Sequence, residues 1–120
     1  MRMIYLKPTQ TIYVYIEPVD MRKAVNGLCI LLQESFGQNP QTGDLYLFTN
    51  RQRNRIKCLF WDKNGFVLYY KRLERGRFNY SKSICGHEVV ITEKQLRGLL
   101  MGLDFHLLGG HAEEIYEDFF

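Results

Sequence analysis

The residues with the most evident chemistry are cationic, and they are concentrated. Between Arg51 and Lys82 there are ten lysines and arginines (Arg51, Arg53, Arg55, Lys57, Lys63, Lys71, Arg72, Arg75, Arg77 and Lys82) against Asp62 and Glu74, a net of +8. Residues 1–50 balance to zero, residues 83–103 balance to zero, and residues 104–120 carry a net of −5. The whole chain is only +3, so the average conceals an electrostatic footprint of the kind that attracts an anionic partner. Guanidinium forks match phosphate oxygens in geometry. Trp61, Tyr69, Tyr70, Phe78 and Tyr80 are interleaved with these cations and are of the type that stacks on bases or covers a sheet. The structural alternative, a solvated sheet face, uses the same residues.

Other chemistry is thinly represented. Cys85 and His87 with His106 or His111 could be assembled around a metal, but their spacing follows no zinc pattern. Metal-assisted strand transfer needs about three converging carboxylates. Asp20, Asp44 and Asp62 instead fall where caps and turns occupy an aspartate locally, and Glu74 reads as an ion-pair partner inside the basic segment. Gly109-Gly110 lacks the lysine and hydroxyl residue of a phosphate-cradling loop. A small basic ribonuclease using His87 as acid or base is compatible with the size, yet no constellation calls for it. No catalytic residue, metal or cofactor is expected, and the chain is read as a non-enzyme.

The elements that must position the cations follow from periodicity. Thr11–Glu17, rich in β-branched and aromatic residues, is predicted as a strand ended by Pro18. Asp20 stands at an N-cap position, with Val19 placed to staple against Ala24. Apolar residues at 21, 24, 25, 28, 31 and 32, with 36 at the end, predict a helix from Met21, stopped by Gly37. Gly27 within it suggests close backbone packing. Leu45–Thr49 is predicted as a strand. Arg55–Trp61 and Phe66–Leu73 are predicted as a hairpin closed by Asp62-Lys63-Asn64-Gly65, because an Asn-Gly pair tolerates positive φ. If residues 50–54 are extended, Arg51, Arg53, Arg55 and Lys57 share one face; if they turn, the arginines crown the tip. His87–Ile91 is a further short strand. Thr92 with Gln95 makes a capping box for a helix that turns Leu96, Leu99, Leu100 and Leu103 inward.

This order predicts a single α+β domain over residues 1–108, with a mostly antiparallel sheet and a basic β-hairpin packed by two helices. Residues 109–120 form an acidic, aromatic tail. No apolar run is long enough for a membrane span. Three widely spaced cysteines (Cys29, Cys58, Cys85) suit reduced thiols, so a cytoplasmic location is expected.

Several motifs then combine: Asp20-Met21-Arg22 with Gly27-Leu28; Phe48-x-Asn50-Arg51; Lys57-x-Leu59-Phe60-Trp61-Asp62-x-x-Gly65; and Tyr70-Lys71-Arg72-Leu73-x-x-Gly76-Arg77-Phe78. This series, over residues 11–105, resembles the small accessory protein of the insertion-sequence-66 family of bacterial mobile elements, called TnpB there and distinct from the RNA-guided nuclease of that name. The segment after Phe78 departs from the family's pattern, and the tail lies outside it. The resemblance implies a non-catalytic protein required for transposition beside a separate, larger transposase. With the charge pattern, it makes DNA and that transposase the expected partners. The expected nucleic-acid-binding residues are Arg22, Arg51, Arg53, Arg55, Lys57, Lys71, Arg72, Arg75 and Arg77. The competing reading is a protein-interaction module that docks on the transposase without touching DNA.

Overall fold

Strands buried on both faces read as continuous apolar runs, whereas half-buried strands alternate. Ile12-Tyr13-Val14-Tyr15 and Leu45-Tyr46-Leu47-Phe48 are of the first kind, with aliphatic and aromatic residues taking turns. A computed structural model describes residues 9–78 and 88–101 and shows what that alternation does. The elements are β1 (Ile12–Tyr15), α1 (Val25–Ser35), β2 (Leu45–Thr49), β3 (Arg55–Asp62), β4 (Gly65–Arg72), β5 (Glu88–Ile91) and α2 (Glu93–Leu100). The strands form one sheet in the order β4-β3-β2-β1-β5. β1 and β2 are parallel, and every other neighbouring pair is antiparallel. The predicted α+β fold is the one observed.

The aliphatic set faces α2: Ile12, Val14, Leu45, Leu47, Ile56 and Cys58 pack with Leu96, Leu99, Leu100 and Phe78. The aromatic set faces α1: Tyr15, Tyr46 and Phe48 pack with Leu28, Leu32 and Leu59. Tyr15 stacks on Phe48 (5.3 Å between centroids) and Tyr13 on Tyr46 (5.4 Å), offset contacts that add about 1 kcal/mol each beyond burial. The sheet is thus covered by one helix on each face, and both β1 and β2 are fully interior. Burial holds the Cys58 thiol well above its ordinary range, as an inert core residue.

Helix α2 keeps its predicted capping box. The Thr92 hydroxyl accepts from the Gln95 N–H, and the Gln95 side chain accepts from the Thr92 N–H. Leu103 lies outside the described residues, as do His87, Tyr80, Cys85, His106 and His111.

Helix α1 corrects its prediction. It starts at Val25 with Ala24 at the N-cap and no side-chain cap. Asp20 turns its carboxylate instead to the Arg22 N–H (2.9 Å), and the Lys23 N–H returns to the Asp20 carbonyl (3.1 Å). The segment is held off the helix axis because the Val19 N–H bonds the Thr49 carbonyl (2.8 Å). Val19 is buried under the aromatic set and Ala24 is exposed, so no staple forms. The close approach expected at Gly27 is to the Lys23 side chain, 3.3 Å from an added Cβ. Gly37 ends the helix as predicted, at φ +62°.

The β3–β4 hairpin also differs at its tip. Asp62 pairs with Gly65, so the two-residue loop is Lys63-Asn64, and the positive φ (54°) falls on Lys63. The Asn64 N–H bonds back to the Asp62 carbonyl, a tight three-residue reversal that places Gly65 in the strand and leaves a side chain in the left-handed region. That conformation costs about 1–2 kcal/mol for a residue bearing a Cβ. Lys63→Gly is expected to raise stability by about 0.5 kcal/mol, net of the entropy glycine adds to the unfolded chain, measured by urea unfolding.

Candidate nucleic-acid interface

The parallel β1–β2 pair and the antiparallel strands beside it bring three connections to one end of the sheet. These are the Pro18–Ala24 segment after β1, the Asn50–Asn54 turn after β2, and the Leu73–Phe78 segment after β4. Backbone bonds fasten them together. The Leu73 N–H donates to the Asn54 carbonyl (2.7 Å) and the Phe78 N–H to the Arg53 carbonyl (2.6 Å). Arg51 and Gln52 border the same hollow as Pro18, Asp20 and Met21. Arg22, Arg51, Arg53, Arg55, Lys57, Arg72, Arg75 and Arg77 therefore all belong to this end.

Residues 50–54 are a turn, the second of the two geometries open from the sequence. Asn50 organises it. Its side-chain oxygen accepts from the Asn54 and Arg55 N–H groups (both 3.0 Å), and its amide donates to the Asn54 side chain (2.6 Å). The Asn50 carbonyl accepts from the Arg53 N–H (3.1 Å). Arg53 sits at φ +57°, a strained position fixed by the Phe78 bond to its carbonyl and by the complete burial of Phe78. Arg51 is exposed at the tip.

On the α1 face, Arg55 lies directly opposite Arg72 and Lys57 opposite Tyr70. Side chains so placed are about 5 Å apart at Cβ, and like charges there repel. Arg72 is relieved by Glu74 (3.1 Å), whereas Arg55 is exposed and forms no ion pair with a described residue. Arg75 and Arg77 are likewise exposed without an ion pair among the described residues. A like-charge pair across two strands, with more guanidinium groups around it, is an arrangement that an anion would stabilise.

Three of the nine predicted residues have partners that also give them structural work. Lys57 sends its ammonium to the Met21 and Lys23 carbonyls (2.9 and 2.7 Å), tying the segment before α1 to β3, and lies 5.5 Å from the Tyr70 ring centroid. Lys71 points to the opposite face and donates to the Leu100 carbonyl (2.8 Å) at the end of α2, so it is apart from the other eight. Arg22 makes a forked pair with Asp20, at 2.6 Å for its shortest bond. Lys23, which the sequence reading left out, is exposed beside Arg22; its position next to an Asp-initiated turn was the available signal. Of the aromatics, Trp61 is half-buried at the far end of the sheet, edge-on to Phe66 (4.9 Å), and so is separated from the cations. Tyr70 is exposed beside them.

Hydrogen bonds from the Arg22 side chain, then from its backbone N–H, hold the Asp20 carboxyl at about 2, below the usual carboxylate range. A depressed carboxylate contributes its stability above its ordinary value, near 3.8, and loses it as the pH falls through about 2. Arg22→Ala should return the Asp20 midpoint towards 3.8, read from its side-chain carboxyl carbon by NMR. The pair is exposed, so overall stability at neutral pH should hardly change.

Among the described residues, no three of His, Cys, Asp and Glu gather as a metal site, and no helix there is long and apolar enough to cross a membrane.

Comparison with known proteins agrees with the motifs. Residues 10–109 match the family described as IS66 Orf2 like protein. Two uncharacterized proteins of Sinorhizobium fredii (strain NBRC 101917 / NGR234) are similar. The first, y4jC, is 32% identical over 94 residues, covering 78% of this chain and 80% of y4jC. The second, y4hO, is 36% identical over 97 residues, covering 81% of this chain and 80% of y4hO. No solved structure matches. The chain belongs to the IS66 Orf2-like family, and that membership implies an accessory role in IS66 transposition.

Proposed function

We propose that the protein supports transposition by binding DNA, at the element ends or within the transposase–DNA complex, and that it does so through the cationic end of its sheet without carrying out chemistry itself. The observation that carries this reading is the Arg55–Arg72 opposition, flanked by the exposed Arg51, Arg75 and Arg77. Folding gains nothing from setting two guanidinium groups across from each other, whereas a phosphate strand laid over them removes the repulsion and releases counterions. Arg53, Arg22 and Lys57 lie around that centre. Tyr70 supplies an exposed ring on the same face for a base or sugar edge. The described elements insert no helix into a groove, so the reading is of backbone contact with little sequence preference.

Titration of labelled duplex DNA with the full chain across a salt series tests it. With about five phosphates engaged, log affinity should fall against log salt with a slope near −4.5. A slope near zero, or no binding by the folded protein at low salt, would discard the reading. It would leave the same cations as a docking surface for an acidic face of the transposase.

A further inference from the structure

Strand β4 runs for eight residues at the margin of the sheet, matched to β3 residue for residue with no bulge. No described residue pairs with its outer rim. Natural sheets blunt such margins with short strands, prolines, bulges or charges. The opposite margin follows this practice, since β5 has four residues. β4 has no proline, and its two charges, Lys71 and Arg72, are both at one end; Lys71 is turned away onto α2.

The ladder determines which groups face outward. The Leu73 N–H to Asn54 bond makes 54–73 a hydrogen-bonded pair, and alternation along the register places 56–71, 58–69 and 60–67 in the same class. Phe66, Leu68, Tyr70 and Arg72 therefore turn their N–H and C=O groups to the open side. Their side chains share the α1 face. At the turn end of that face, Phe66 borders a shallow groove with Cys29, Ile30 and Pro40, where Ile30 is 52% exposed. At the other end stands Tyr70, 48% exposed.

We infer that β4 pairs antiparallel with β4 of a second copy of this chain, about a two-fold axis at Leu68, joining the two sheets edge to edge. The rotation exchanges the two ends of the strand, so the exposed ring at one end meets the apolar groove at the other: Phe66 faces Tyr70 of the second copy. Charge selects the same orientation. The antiparallel arrangement sends the two Lys71-Arg72 ends to opposite ends of the shared ladder, whereas a parallel pairing would set them side by side. The interface is isologous, so each contact occurs twice. The pairing draws on Tyr70, which the proposed DNA face also presents, and its test therefore uses no DNA.

Sedimentation velocity of the full chain up to about 100 μM, with no DNA present, reads it directly. A species of twice the 14.3 kDa chain mass is expected. Leu68→Pro removes an outward N–H and no bond to β3, and should weaken association by about a hundredfold with the far-ultraviolet circular dichroism unchanged. Should that variant not fold, Leu68→Cys decides. Paired residues at such a position have Cα atoms about 5.5 Å apart, within disulfide range. Mild oxidation should then yield a covalent dimer that neither the parent chain nor Val67→Cys gives. A parent chain that stays monomeric at about 100 μM overturns the inference. So does a dimer that persists in folded Leu68→Pro, or that Leu68→Cys fails to cross-link.

Discussion

A chain carrying Arg51→Ala, Arg55→Ala, Arg72→Ala and Arg75→Ala should bind duplex DNA about a hundredfold more weakly at roughly 50 mM salt, with the salt slope flattened from near −4.5 to near −1. The four side chains are exposed, so their removal opens no cavity. Among the described residues, the one ion pair lost is the exposed Arg72–Glu74 contact, worth little in stability. Removing both Arg55 and Arg72 also abolishes a cross-strand repulsion. Thermal unfolding should accordingly stay within about 1 °C of the parent, or move slightly upward. The two readouts must separate: affinity collapses while stability holds. Loss of both together would mean that the arginines serve the fold. Unchanged affinity would move DNA contact to another surface. Lys57→Ala provides the contrast, because its ammonium serves two carbonyls; there stability should fall, with any effect on DNA following from it.

Asn50→Ala is expected to be the most damaging single change at this end of the sheet, costing about 2–3 kcal/mol. One side chain satisfies the Asn54 and Arg55 N–H groups and donates to the Asn54 side chain. Each lost bond contributes about 1 kcal/mol, and more where the partner is left dry. Asn50 is half-buried, so water replaces only part of this. For a chain of this size such a loss lowers the melting temperature by about 10 °C. Asn50→Asp keeps the two acceptor bonds and loses the donation, so it should fall between parent and alanine. Urea unfolding of the three chains gives the ranking. Equal stability of parent and alanine variant would mean that the turn is held by its backbone bonds, among them Arg53–Asn50, Phe78–Arg53 and Leu73–Asn54, without the Asn50 side chain.

Where local chemistry and long-range packing agree, the sequence could be read directly. Thr92 and Gln95 formed their capping box because both partners lie within one turn. β3 and β4 emerged within a residue of their expected bounds because their hydrophobic pattern and short connection are local. The start of α1 was misread because the competing bonds come from far along the chain: Thr49 holds Val19, and Lys57 holds the carbonyls of Met21 and Lys23. Asp20 looks like a helix cap in isolation, and only those tethers make it a turn residue. At the hairpin tip the reversal fell on the expected Asp62–Gly65 segment, but the positive φ did not fall on the Asn-Gly pair: with Asp62 paired to Gly65, Lys63 takes it. For the site, charge clustering along the sequence was legible. Its resolution into one end of the sheet was not, because Lys71 and Arg72 are adjacent in the chain yet on opposite faces. Arg22, distant in sequence, enters only through the parallel strand pairing.

The position of β1 has a consequence for the order of assembly. It is the first described strand to leave the ribosome, yet it ends inside the sheet, between β2 and the edge strand β5. Its two partners are translated 33 and 77 residues later, as the Ile12–Leu45 and Tyr13–Val90 pairings show. Contacts of such separation form late, because chain entropy must be surrendered before they return anything. The β2–β3–β4 meander, whose pairings are all between neighbours in sequence, can close as soon as it emerges. β1 must then insert beside it and wait, one rim open, until β5 arrives. During that interval the nascent chain exposes an interior strand of alternating aliphatic and aromatic residues, the type most prone to join a neighbouring chain.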